Sequence, residues 1–145
     1  MRKVVDVNYL RDPRLRGYFK EDKSNFIIFT DFACMECYKG RSLTNIKNSL
    51  EIVSDYPEQV LVLKNTGAVI KEDLSKSQQN DIFIDQDQTA GFHDFCIGVK
   101  QASGGDFFAK QLLEKSELAS MDIENKKKFA GLILRCCNIN YANFI

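Results

Sequence analysis

Three side chains that can do chemistry stand within four positions of one another in FIIFTDFACMECYKG, residues 26–40: Cys34, Glu36 and Cys37. A fourth, Asp6, lies thirty positions before Glu36 in KVVDVNYLRD, with Asn8 two residues on. Each group follows a short apolar run. An Asp inside an apolar first strand is costly to bury unless it is partnered or sits at the strand's open end. In a parallel sheet the C-terminal strand ends form one edge where ligands gather, and the helix after the second strand begins at that edge. Asp6 and Glu36 are therefore expected to face each other across a cleft, with Asn8 on the Asp6 side of an extended chain. Two converging carboxylates repel, and a hard cation such as Mg²⁺ or Mn²⁺ relieves the conflict while accepting substrate phosphate oxygens. Such an ion lowers the pKa of its water and neutralises charge on a phosphodiester in the transition state.

The sulfurs offer a competing chemistry. A helix N-terminus lowers a thiol pKa, so the Cys34-x-x-Cys37 pair is placed where a redox nucleophile could stand. The stretch DFACMECYK also resembles the strand-to-helix junction of thioredoxins. That resemblance implies a cis proline opposite the pair, and neither Pro13 nor Pro57, the two prolines of the chain, is placed for it. Glu36 beside the thiols raises their pKa rather than lowering it. Zinc held by Cys34, Cys37, Cys136 and Cys137 would rest on a vicinal pair, a poor chelate. Packing of Cys34 and Cys37 on the buried side of a helix is the default expectation.

These residues must be positioned by alternating strands and helices. Val4, Val5 and Val7, then Phe26 to Phe29, then Val60 to Leu63, and Ile82 to Ile84 read as strands buried on both faces of a mostly parallel sheet. Between them Leu43, Ile46, Leu50 and Val53 step along one helical face, and Pro57 closes that segment. Phe92, Phe95, Cys96 and Val99 line a second helix that ends at Ser103, Gly104 and Gly105. Asp106 caps a third, Phe107 to Leu118, and Phe129, Leu132, Ile133 and Cys136 form a last stripe. Residues 71–81 read as a polar surface loop.

Composition narrows the class. The length suits one domain spanning 1–145, with enough chain to bury a core without staples. Lys plus Arg and Asp plus Glu are each 20, so no global field steers the protein to nucleic acid, and any RNA contact must be local. No run approaches the roughly 18 apolar residues of a membrane span, and no export signal is visible, so a cytoplasmic protein away from the membrane is expected. Five cysteines without an export signal point to reduced thiols.

VVDVNYLRDPRLRGYF followed by FIIFTDFACMECYKG resembles the opening of a PIN domain, the metal-dependent ribonuclease family of toxin–antitoxin systems and RNA processing. Asp6 with Asn8 matches its first signature, and Glu36 with Gly40 its second. The resemblance implies a three-layer α/β sandwich around a mostly parallel sheet, with acids binding Mg²⁺ or Mn²⁺ for RNA hydrolysis. It also implies a further strand after NINYANFI, so the chain reads as short at that end. On this reading Asp6 and Glu36 are catalytic metal ligands, Asn8 and Thr30 orient them, and Arg11, Arg14 and Lys39 contact RNA. Asp85 is the preferred third ligand, ending the run 81–84, though it serves equally as a helix cap; Asp87, Asp94 and Asp122 are further candidates. An antitoxin or other protein partner, or a second copy of the chain, fits the family. An inactive PIN-like interaction module and, less so, a thiol oxidoreductase are the alternatives. His93, the one histidine, reads as an ordinary partly buried residue rather than a base, Arg16 with Lys20 and Lys126 to Lys128 as solvated surface, and Asp31 as the cap of the Glu36 helix. Tyr38 and Lys39 follow Glu36 and are candidates to line a substrate path.

Overall fold

The protein is described by a computed structural model covering residues 1–39, 41–69, 71 and 80–136. Three short segments, β1 (Arg2–Val4), β2 (Phe26–Phe29) and β3 (Val60–Val62), pair side by side and parallel in the order β1-β2-β3. Between and after them run α1 (Val7–Leu10), α2 (Arg14–Glu21), α3 (Asp31–Tyr38), α4 (Leu43–Asp55), α5 (Thr66–Val69), α6 (Gln86–Gln101) and α7 (Phe107–Cys136). The class is α/β with a small, open parallel sheet. Among the described residues no helix is long and apolar enough to cross a membrane.

The register explains which face of the sheet is covered. Ile27 pairs with Val60 and Phe29 with Val62, and all four side chains are buried. The opposite parity carries Val4, Ile28 and Leu61, and Val4 is 69% exposed. The strands therefore alternate instead of being buried on both faces. Helices bury one face deeply and leave the other half-covered among the described residues.

The helices are set by caps and apolar spacing. Ser42 caps α4, its hydroxyl accepting from Asn45 N at 3.4 Å. Ile46, Leu50 and Val53 are fully buried along one face, each contributing about 1.5–3 kcal/mol of apolar burial. Pro57 then opens a 3₁₀ turn, Pro57–Gln59, that delivers the chain to β3. Gln59 is buried and its amide donates to the carbonyls of Phe19, Asp22 and Asn25 at 2.8–3.2 Å, which locks the end of α2 to the start of β3.

Three expectations are corrected. Asp6 is outside the first strand: β1 ends at Val4, and Asp6 caps α1, so Asn8 lies in a helix and not on an extended face. Ile82 to Ile84 is no strand; Asn80–Phe83 is a 3₁₀ turn, and Ile84 makes a single antiparallel bridge to Leu63. The Phe107 helix continues without a break to Cys136, so the two stripes belong to one element. Gly40, Cys137, most of the 71–81 loop and NINYANFI lie outside the described residues, as do the side chains of Asp122, Lys126 to Lys128 and the last stripe.

Candidate functional site

Because all three strands run the same way, the segments after Val4, Phe29 and Val62 emerge at one edge of the sheet. Asp6 follows β1 and folds back at once into α1. Its Oδ1 accepts from Tyr9 N at 2.8 Å, the short polar side chain satisfying a free amide of the first turn. Thr30 follows β2 with extended backbone and caps α3 by accepting from Ala33 N at 3.1 Å. Asp31, expected as that cap, is instead the first helical residue, its Oδ1 accepting from Phe32 N at 2.8 Å. An N-cap needs the extended geometry that Thr30 has and a residue inside the helix lacks.

One turn further along α3 stands Glu36. Asp6, Asn8, Thr30 and Glu36 all line one hollow of about 660 Å³ between the end of β1 and α3. The two acids expected to meet thus come to the same space from different elements. Asp6 is exposed and Glu36 half-buried. Glu36 Oε2 lies 3.7 Å from Lys39 Nζ one turn on. The second oxygen of each carboxylate has no hydrogen bond among the described residues.

Asp85 is elsewhere. Its backbone N–H donates to Val62 O at 2.8 Å, which fixes it at the end of β3. Its carboxylate caps α6, accepting from Gln88 N and Gln88 Nε2, each at 2.9 Å. With β2 standing between β1 and β3, those strand ends are about 10 Å apart. Asp85 does not line the Asp6 hollow. Among the described residues no three His, Cys, Asp or Glu side chains gather closely enough to form a metal cluster.

The basic cluster is tied into the fold. Arg11 donates from Nε and Nη2 to Ser49 Oγ of α4, at 3.1 and 2.5 Å. Arg14 clasps Asp12, whose carboxyl it holds below the usual range chiefly by that side-chain hydrogen bond. Arg16 pairs with Glu51 and Asp55, and Lys100 reaches Asp55 from α6 at 2.8 Å. Arg11, Arg16 and Lys100 thereby fasten α1, α2 and α6 onto α4. His93, expected to be partly buried, is exposed beside Asp94 and does not line the Asp6 hollow.

The thiols are not activated. Burial pushes Cys34 up to about 11 and Cys37 up to about 12, so desolvation outweighs any help from the helix N-terminus. Both are free thiols, as is buried Cys96.

A second hollow of about 460 Å³ lies on the β3 side of α3. Thr30 lines it as well, with Cys34 and Tyr38 from α3, Phe92 and Phe95 from α6, and Lys115 from α7. Asn65 and Gln88, also in its lining, were not picked out by sequence reasoning. The signal was slight: Asn65 comes two residues after the third apolar run, and Gln88 follows the capping Asp85 by one turn. No family model, curated protein or solved structure matches the chain.

Proposed function

We propose that the chain is a PIN-like, divalent-metal-dependent endoribonuclease, its small sheet and helices the frame of a three-layer sandwich. One observation carries the reading: Asp6 and Glu36 line a single hollow at the C-terminal edge of a parallel sheet. The donor set fits a hard ion. Each carboxylate keeps one oxygen without a hydrogen bond among the described residues, and Mg²⁺ commonly takes only one or two carboxylates, filling its shell with water and substrate phosphate. When bound, Mg²⁺ or Mn²⁺ would supply an activated water and charge neutralisation at the phosphodiester.

The chain's own residues have separate tasks. The carboxylates of Asp6 and Glu36 hold the ion. The Tyr9 amide fixes the rotamer of Asp6, and Lys39 restrains Glu36. Thr30 starts α3 so that Glu36 arrives over the sheet edge, and the Asn8 amide orients groups at the rim. Lys39, exposed, meets phosphate by charge. Asp85 has no part in this two-carboxylate site. The test is cleavage of single-stranded RNA with Mn²⁺ by the native protein, Asp6→Asn and Glu36→Gln. Loss in both variants to the level seen with chelator supports the reading; unchanged cleavage removes it.

A second reading, an inactive PIN-like module that works through a protein partner such as an antitoxin, is favoured by a specific observation. Arg11 and Arg14, the expected RNA contacts, are spent on Ser49 and Asp12. Absence of cleavage by the native protein would select it.

A further inference from the structure

The hollow on the β3 side of α3 has walls and fixed polar atoms that the cation site does not use. Its volume of about 460 Å³ suits a small enclosed ligand. Tyr38, Phe92 and Phe95 supply aromatic lining, with the two Phe rings 5.9 Å apart. Two amides give it a defined polarity. Asn65 Oδ1 accepts from Ala68 N at 3.0 Å, which leaves its NH₂ as a donor. Gln88 Nε2 donates to Asp85 Oδ2, which leaves its carbonyl as an acceptor. Neither amide assignment is arbitrary, because each anchored end has a partner of one polarity only.

Tyr38 adds a phenol to the lining. It is only 6% exposed. Burial also pushes the phenol upward, so it stays a neutral donor. A purely alkyl occupant would use neither the Asn65 NH₂ nor the Gln88 carbonyl. A nucleobase meets both, having flat faces for aromatic walls and edges that carry both donors and acceptors. Lys115, exposed on α7, makes no ion pair with a described residue and can meet a phosphate at the rim. Asp31 also lines the hollow, at its Thr30 side.

We infer that this hollow seats a nucleobase, its edge read by the Asn65 NH₂ and the Gln88 carbonyl, with the attached phosphate toward Lys115. The inference rests on the RNA-cleavage reading, of which it names a base subsite, because Thr30 lines this hollow and the carboxylate hollow alike.

The test is equilibrium binding of the four 5′-ribonucleotides and a short unstructured oligoribonucleotide in EDTA, so that divalent ions play no part. Gly91→Leu adds a side chain to the lining where a Cβ meets nothing within 4 Å, and leucine favours the helix, so this variant is expected to fold. Gln88→Leu removes the acceptor at an exposed position. At least one nucleotide is expected to bind saturably, and each variant to weaken it roughly tenfold. A tighter oligonucleotide identifies an RNA strand as the source of the base; equal affinity identifies a free nucleotide. No saturable binding, or binding that both variants leave unchanged, overturns the inference. Nucleotide binding without RNA cleavage would remove the nuclease reading and leave this subsite standing.

Discussion

Ser116, fully buried on α7, donates its hydroxyl to the carbonyl of Tyr38 at the end of α3. This bond fixes the helix that carries Glu36 against the long C-terminal helix. Ser116→Ala leaves a buried carbonyl unmet and is expected to cost about 1–3 kcal/mol. Urea unfolding measures it. A midpoint equal to that of the native protein would mean that α7 does not hold α3 in this way.

Gly98 brings α6 and α7 together. A Cβ there would lie 2.6–2.9 Å from three ring atoms of Phe108, which packs in turn near Phe95 with ring centroids 6.3 Å apart. Alanine improves helix propensity by about 1 kcal/mol, whereas forcing the ring aside costs about 1–3 kcal/mol. Gly98→Ala should therefore lower Tm despite the better helix former, and adding Phe108→Leu should recover part of the loss. A rise in Tm for the single variant would show the contact to be soft.

Gln59 serves three carbonyls with two amide protons. Gln59→Leu keeps the volume and removes every donor, so about 2–3 kcal/mol of stability should be lost. Denaturant titration of the two proteins checks this, and a change within error of zero would contradict the packing described for α2 and β3.

The thiols predict a pH dependence. Cys34 at about 11 and Cys37 at about 12 lie above the ordinary value of 9.0. The native state thus holds these protons after the unfolded chain has released them. Their contribution is complete below the ordinary value of 9.0 and is lost as pH rises toward the folded values. At pH 8 roughly one Cys34 in a thousand is thiolate in the folded protein. Alkylation by iodoacetamide, followed by peptide mass spectrometry, should be far slower at Cys34 and Cys37 in buffer than in urea. Equal rates would restore the redox alternative.

The legible parts of the fold are those where local pattern and tertiary burial agree. Phe26–Phe29 and Val60–Val62 are apolar, short and bounded by turn residues, and both are strands. The α4 face is legible for the same reason. Ile82 to Ile84 has similar composition but folds as a 3₁₀ turn, because short apolar runs do not distinguish strand from turn without a partner. Asp6 illustrates a different limit. Val7 continues the apolar run past it, so the pattern hides a cap that Asp followed by a helical turn could have announced. At the site, the place of Asp6 and Glu36 in the lining of one hollow follows from parallel topology. The fate of Asp85 turns on strand order, which places β2 between it and Asp6 and which no residue pattern states. The engagement of Arg11 and Arg14 depends on side-chain partners that no spacing rule reveals.

The proposed cation shared by Asp6 and Glu36 is tested most directly by Mn²⁺ binding followed by electron paramagnetic resonance. The native protein should bind one Mn²⁺ per chain saturably, with Asp6→Asn and Glu36→Gln each weakening it at least about tenfold while Asp85→Asn leaves it unchanged. Free Mn²⁺ at every concentration, or equal affinity in the native protein and both site variants, would contradict it.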